Sequence, residues 1–280
     1  MADNKNQKPF IDVKEVINKK NKGVTKLIPN FVINLIKRII HEDDINRVIS
    51  ESNHLHKLDF VSSVLNSFEA KYEVIGAENI PTDGRFIFVA NHPLGGLDGI
   101  VFTDAISKYF KNIKFVVNDL LLNIKNFDGV FVPINKHGKQ SMEYVRNIEN
   151  LFASDDQILF FPAGLCSRKI NGKIIDLEWK KTFIQKATKH KRDIIPVYFE
   201  GKNSNLFYTL ARIRKFFRIK LNIEMFLLPR EMFKQKGQTI KLYIGEPIKH
   251  QSLDKTKKPE IWAQEIKEIT YNLAHKYKHS

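Results

Sequence analysis

Eight short apolar runs, at 72–75, 85–90, 113–117, 130–134, 157–161, 193–199, 222–228 and 240–244, constrain this chain more than any other feature of its sequence. Each has the length of a strand, and helical stretches at 98–110, 140–152, 179–190, 205–217 and 259–278 lie between or after them. Strands that alternate with helices predict an α/β fold, with a largely parallel central sheet flanked by helices. Residues before this pattern read differently. Positions 1–25 are rich in Lys and Asn and predict a mobile or loosely helical leader. Two helical stretches follow, at 29–41 and 59–70, so residues 1–70 are read as an N-terminal helical, membrane-associating region.

The stretch 29–41 is amphipathic. At about 100° per residue, Phe31, Val32, Ile33, Leu35, Ile36, Ile39 and Ile40 fill one arc of roughly 200°, with Asn34, Lys37, Arg38 and His41 opposite. The stretch 205–220 repeats the theme, with Leu206, Phe207, Leu210, Ile213, Phe216 and Phe217 beside Arg212, Arg214, Lys215, Arg218 and Lys220. Such helices either pack on a core or lie on anionic lipid. Lys and Arg outnumber Asp and Glu by 46 to 31, so a net charge of +15 draws the chain to polyanions. No nucleic-acid motif accompanies that charge, and the amphipathic helices favour a lipid surface over DNA or RNA. No run of about 18 apolar residues occurs, and positions 1–8 lack the apolar core of a signal peptide. The single cysteine, Cys166, excludes an internal disulfide and any Cys-based zinc cluster, which fits a reducing compartment.

The chemistry concentrates in Phe86-Ile87-Phe88-Val89-Ala90-Asn91-His92-Pro93-Leu94-Gly95-Gly96-Leu97-Asp98. An apolar strand ends at Asn91-His92, a glycine turn follows, and Asp98 opens the next helix. Open α/β sheets present ligands at the carboxyl ends of their strands, where a histidine can take a proton from a hydroxyl. The Gly95-Gly96 turn lets Asp98 reach the imidazole, fix its tautomer and stabilise its charged form. The plainer reading of Asp98 is a helix N-cap.

Asn91-His92 through Asp98 resembles the Asn-His-x4-Asp motif of the 1-acylglycerol-3-phosphate acyltransferases, also called the lysophospholipid acyltransferases. Gly129-Val130-Phe131-Val132-Pro133-Ile134, Phe161-Pro162-Ala163-Gly164 and Ile194-Ile195-Pro196-Val197 resemble the family's later blocks, in its order. The resemblance implies an acyltransferase domain over 71–280, with His92 as general base and Asp98 its orienter. It also implies substrate contacts at Asn91, Gly129, Asn135, Lys136, Pro162, Gly164 and Arg168. The co-substrate would be an acyl thioester of acyl carrier protein or coenzyme A, without metal or redox cofactor. The enzyme would sit peripherally on the cytoplasmic face of the inner membrane.

Three departures refine this. Five residues separate His92 from Asp98 where the family has four. Ala163 replaces the family's glutamate, and Cys166 stands where arginine usually follows, with Arg168 nearest. The second block offers Asn135, Lys136 and Lys139 in place of its arginine. These changes look like a bacterial branch that acylates lyso-aminolipids, such as lyso-ornithine or lyso-glycine lipids, whose head groups need fewer fixed arginines than a phosphomonoester. Two rival readings are a non-catalytic basic membrane- or nucleic-acid-binding protein, and a thioesterase whose His92 activates water.

Overall fold

The run Phe86–Ala90 is apolar at every position because both its faces are covered. In the computed structural model, which describes residues 12–20, 23, 28–118, 124–134, 142–219 and 222–279, it is a central strand. Four helices, α1 (Val13–Lys20), α2 (Asn30–Ile39), α3 (Glu42–Glu51) and α4 (Lys57–Ser67), precede the sheet. Then come β1 (Lys71–Ile75), β2 (Phe86–Ala90), α5 (Gly96–Ser107), β3 (Ile113–Asn118), β4 (Phe131–Ile134), α6 (Met142–Ala153) and β5 (Gln157–Phe160). A hairpin, β6 (Arg168–Ile170) and β7 (Lys173–Ile175), leads to α7 (Thr182–His190), β8 (Asp193–Phe199), α8 (Asn205–Phe216), α9 (Leu228–Lys234), β9 (Thr239–Ile244) and α10 (Pro259–His279).

The seven-stranded sheet has the order β1-β9-β8-β2-β5-β3-β4, and only the β8–β9 pair is antiparallel. This is the predicted α/β architecture. Alternation along β2 sends Phe86, Phe88 and Ala90 into one core and Ile87 and Val89 into the other. The first core lies under α4 and α5, the second under α6, α7 and α10. Helix α5 is buried from Leu97 to Ile106, which explains its apolar residues on every side. Truncating the fully enclosed Phe88 to Ala would cost about 3–5 kcal/mol. Phe60, Val61, Val64 and Leu65 of α4 belong to that first core, so no break in packing falls at residue 70.

One expectation needs correction. Residues 222–228 are not a strand. They form a 3-10 turn, Ile223–Leu227, running into α9, whose first turn holds Pro229. Proline lacks the N–H that a strand ladder needs, and its fixed φ suits a first helical turn. The β6–β7 hairpin follows the third block, and its turn is Asn171-Gly172, both at positive φ. Of the leader, residues 1–11 lie outside the described residues, and α1 is helical.

Candidate active site

Parallel pairing brings the carboxyl ends of β2, β3, β4, β5 and β8 to one edge. In register, Val89 stands level with Phe160, Phe160 with Val116, and Val116 with Val132. His92 follows β2 at this edge. Gly95 adopts φ +81°, a conformation suited to glycine, and α5 begins at once, carrying Asp98 back beneath His92. A Cβ on Gly95 would come within 2.6 Å of Leu228, so packing also requires glycine there.

Both Asp98 carboxylate oxygens lie 3.0 Å from His92 Nδ1, and Oδ2 takes the hydrogen bond. Oδ2 also accepts from the backbone N–H groups of Leu94, at 2.9 Å, and Gly95, at 3.2 Å. Asp98 therefore caps its helix and orients the histidine at once, and the extra residue in the motif is absorbed by the turn. The His92 ring stacks on Phe161, with centroids 4.1 Å apart, and also contacts the Cys166 thiol. Burial opposes a charge on the imidazole, but the Asp98 carboxylate, helped by Cys166, outweighs it and raises the pKa well above 6.5. With Nδ1–H given to Asp98, Nε2 is the ring nitrogen that can take a proton.

A second carboxylate, not foreseen from the sequence, fixes the backbone of this turn. Asp176 Oδ1 accepts from the N–H of His92, at 3.2 Å, and from the Ser167 hydroxyl, at 2.6 Å, while Oδ2 accepts from Trp179 Nε1–H at 2.9 Å. Ser167 N–H in turn donates to the His92 carbonyl at 2.7 Å. Burial raises the Asp176 pKa, with the Ser167 and Trp179 hydrogen bonds opposing.

The other expected site residues divide. Pro162 and Gly164 form the turn that seats Phe161 on His92, with Gly164 at φ +65° and its N–H donating to the Phe161 carbonyl. Asn91 is buried, and its amide both donates to and accepts from the Phe199 backbone, so it joins β2 to β8 rather than facing substrate. Arg168, expected at the substrate, is engaged within the protein. It is buried, and its guanidinium pairs with the fully buried Glu224 at 2.7 Å, which Arg214 also approaches at 2.9 Å. Gly129 precedes β4 and so lies at the opposite edge, roughly 20 Å from His92 along the strand direction. Asn135 and Lys136, with Lys139, lie outside the described residues.

A family model described as acyltransferase matches residues 15–277. The lyso-glycine lipid O-acyltransferase of Bacteroides thetaiotaomicron is 45% identical over 265 residues, 94% of this chain and 97% of the relative. That of Phocaeicola vulgatus is 44% identical, over 94% of this chain and 95% of the relative. The crystal structure of the 1-acyl-sn-glycerophosphate acyltransferase of Thermotoga maritima is similar at 19% identity and a TM-score of 0.46, over 88% of this chain and 92% of that one. The chain, with this histidine and carboxylate at the carboxyl edge of its sheet, belongs to the acyltransferase family.

Proposed function

We propose that this enzyme transfers a fatty acyl group from a thioester to the hydroxyl of a lyso-aminolipid, with a lyso-glycine lipid as acceptor. The observation that carries the chemistry is the His92 Nδ1–Asp98 contact, which leaves Nε2 to act as general base. The acceptor's oxygen attacks the thioester carbonyl as its proton passes to Nε2. The tetrahedral intermediate then collapses, expelling the thiol sulfur, which regains that proton from the imidazolium. Asp98 stabilises the charged ring throughout, and the Asp176 and Ser167 hydrogen bonds hold the backbone still.

The acceptor is drawn from the relatives, both named for lyso-glycine lipid. Chemistry at the third block agrees. Ala163 is a small buried residue where the family carries glutamate, and the Arg168 charge is engaged by Glu224, so Arg168 offers no free cation for a phosphomonoester. The donor is the thioester of acyl carrier protein or coenzyme A, and the enzyme works peripherally at the cytoplasmic face of the membrane. Among the described residues no helix is long and apolar enough to cross a bilayer.

The test is to supply purified enzyme with each thioester and with lyso-glycine lipid, lyso-ornithine lipid or lysophosphatidic acid. Diacylated glycine lipid as the preferred product supports the reading. Preference for lysophosphatidic acid would overturn the acceptor, and release of free fatty acid with no acceptor consumed would make the enzyme a thioesterase.

A further inference from the structure

Helix α8 leaves β8 at the same edge as His92 and divides its residues sharply. Phe207, Tyr208 and Ala211 face inward, and Phe207 and Tyr208 pack with Cys166, whose thiol touches His92. Leu206, Ile213, Phe216 and Phe217 face out, with Phe216 80% and Phe217 66% exposed and their rings edge to face. Leu206, Ile213 and Phe217 recur at seven and then four residues, one helical stripe. Helix α2 stands on the same inner cluster through Ile39, buries Ile33, and turns Phe31 outward at 73% exposure together with Leu35. Two helices thus share an inner face beside the catalytic histidine and leave outer apolar faces uncovered.

The charges carried by α8 have one sign. Residues 204–219 include no Asp or Glu. Arg214 turns inward to Glu224, whereas Arg212, Lys215 and Arg218 are exposed and, among the described residues, pair with no carboxylate. A second copy of the chain would set these cations against each other. A surface that is apolar beneath and uniformly anionic above fits both components.

We infer that the outer face of α8, with Phe216 and Phe217 at its tip and the exposed face of α2 beside it, is a docking surface for an anionic bilayer. The inference rests on the lysolipid reading of the active site, and gives that site its approach to the interface. Phe216 and Phe217 enter the acyl boundary, Arg212, Lys215 and Arg218 meet lipid head groups, and the His92 edge is held against the membrane. The acceptor then reaches the base without leaving the lipid surface.

The experiment is co-sedimentation of the full chain with phosphatidylcholine vesicles and with vesicles that also carry phosphatidylglycerol, across a salt series. Parallel assays measure transfer to a short-chain acceptor dissolved without vesicles. The parent should bind anionic vesicles more tightly, with an advantage that salt shrinks. Lys215→Glu with Arg218→Glu, both on the surface and harmless to the core, should lower anionic binding at least about tenfold. Phe216→Ser with Phe217→Ser should lower binding to both vesicle types about tenfold. Transfer to the dissolved acceptor should persist in all of them. Equal partition of parent and variants at every salt concentration overturns the inference. So does light scattering that finds a dimer dissolved by the phenylalanine changes while vesicle binding is untouched, because a second copy then covers the face. A parent that docks as described yet transfers to no acceptor leaves the docking intact and overturns the acyl-transfer reading alone.

Discussion

At the amino edge of the sheet Arg192 is fully buried, and its guanidinium donates to the carbonyls of Phe152, Phe86, Asp156 and Ser154. At the carboxyl edge Asp98 is just as buried, yet its Oδ1 makes no hydrogen bond. The contrast extends to neighbours. Gln157 at the amino edge accepts from Phe86 N–H at 2.8 Å and donates to the Gly84 carbonyl at 2.9 Å, using both ends of its amide. Asn203, in the loop after β8, is buried with neither end used. Among the described residues the buried side-chain polar atoms without a hydrogen bond belong to Asp98, Asn203, Arg214 and Glu224, and those of the last two face each other as an ion pair at 2.9 Å. Satisfied groups hold strands together, whereas the Asp98 carboxylate keeps part of its field for the charge that His92 gains.

The largest effect should appear where that field acts. His92→Ala removes the base while Asp98 keeps its hydrogen bonds from Leu94 and Gly95, so the fold should stand. Turnover should fall on the order of 10²–10⁴-fold. Unchanged turnover in purified, folded His92→Ala would break the mechanism.

Arg192→Met tests the other edge. It removes the donor from four carbonyls, two of them in buried hydrogen bonds, at a cost of about 3–5 kcal/mol. Burial lowers the Arg192 pKa to about 10, so the side chain lost is still a cation at neutral pH. The melting temperature should drop steeply, while turnover per folded molecule stays near the parent's. A variant that melts normally but turns over slowly would erase the proposed difference between the edges.

The third effect is a displacement in pH. Burial opposes a charged His92, and Asp98 more than offsets it, so the ring holds its proton above pH 6.5 in the free enzyme. A protonated ring cannot act as base, and kcat/KM should climb as pH rises through the raised pKa. The raised value also stabilises the fold. That contribution is complete below the ordinary pKa and is lost as pH rises through the folded one. Asp98→Asn removes the opposing charge, so the limb should move toward acid while the plateau rate falls. A limb that does not move would assign the titration to another group.

How much of this was legible in the sequence also differs between the edges. The apolar runs gave the sheet, because a strand covered on both faces must be apolar throughout, and the glycine turn placed Asp98 against His92. Asp176 was illegible: it lies 84 residues from His92, and an Asp between Ile175 and Leu177 carries no pattern. Arg168 read as a substrate contact from its place after the third block, and Glu224, its partner, lies 56 residues away in a run that read as a strand. The Asn171-Gly172 pair, by contrast, is a hairpin signal that the sequence does display. Its flanking strands have three residues each, too short to register as apolar alternation. Gly129 matched a block whose spacing is visible in the chain, but only strand direction shows that it opens the far edge.

The smallest effect should come from Cys166, the residue that most nearly makes the carboxyl edge look like a covalent site. Its thiol touches His92, so a proton could pass from sulfur to the ring, leaving a thiolate to accept the acyl group. One fact opposes this. Cys166 is fully buried among Phe207, Tyr208, Leu227 and Leu228, where a thioester carbonyl has no approach. Direct transfer needs the thiol only as packing beside the ring. Cys166→Ala should therefore keep turnover within about threefold and lose on the order of 1 kcal/mol of stability. Removing the thiol also removes one of the influences that raise the His92 pKa, so the rising limb of kcat/KM should shift slightly toward acid, in the direction of the Asp98→Asn shift but less far. A loss of 10²-fold or more, with an acyl adduct on Cys166 in the mass spectrum of the parent, would replace direct transfer with a two-step route.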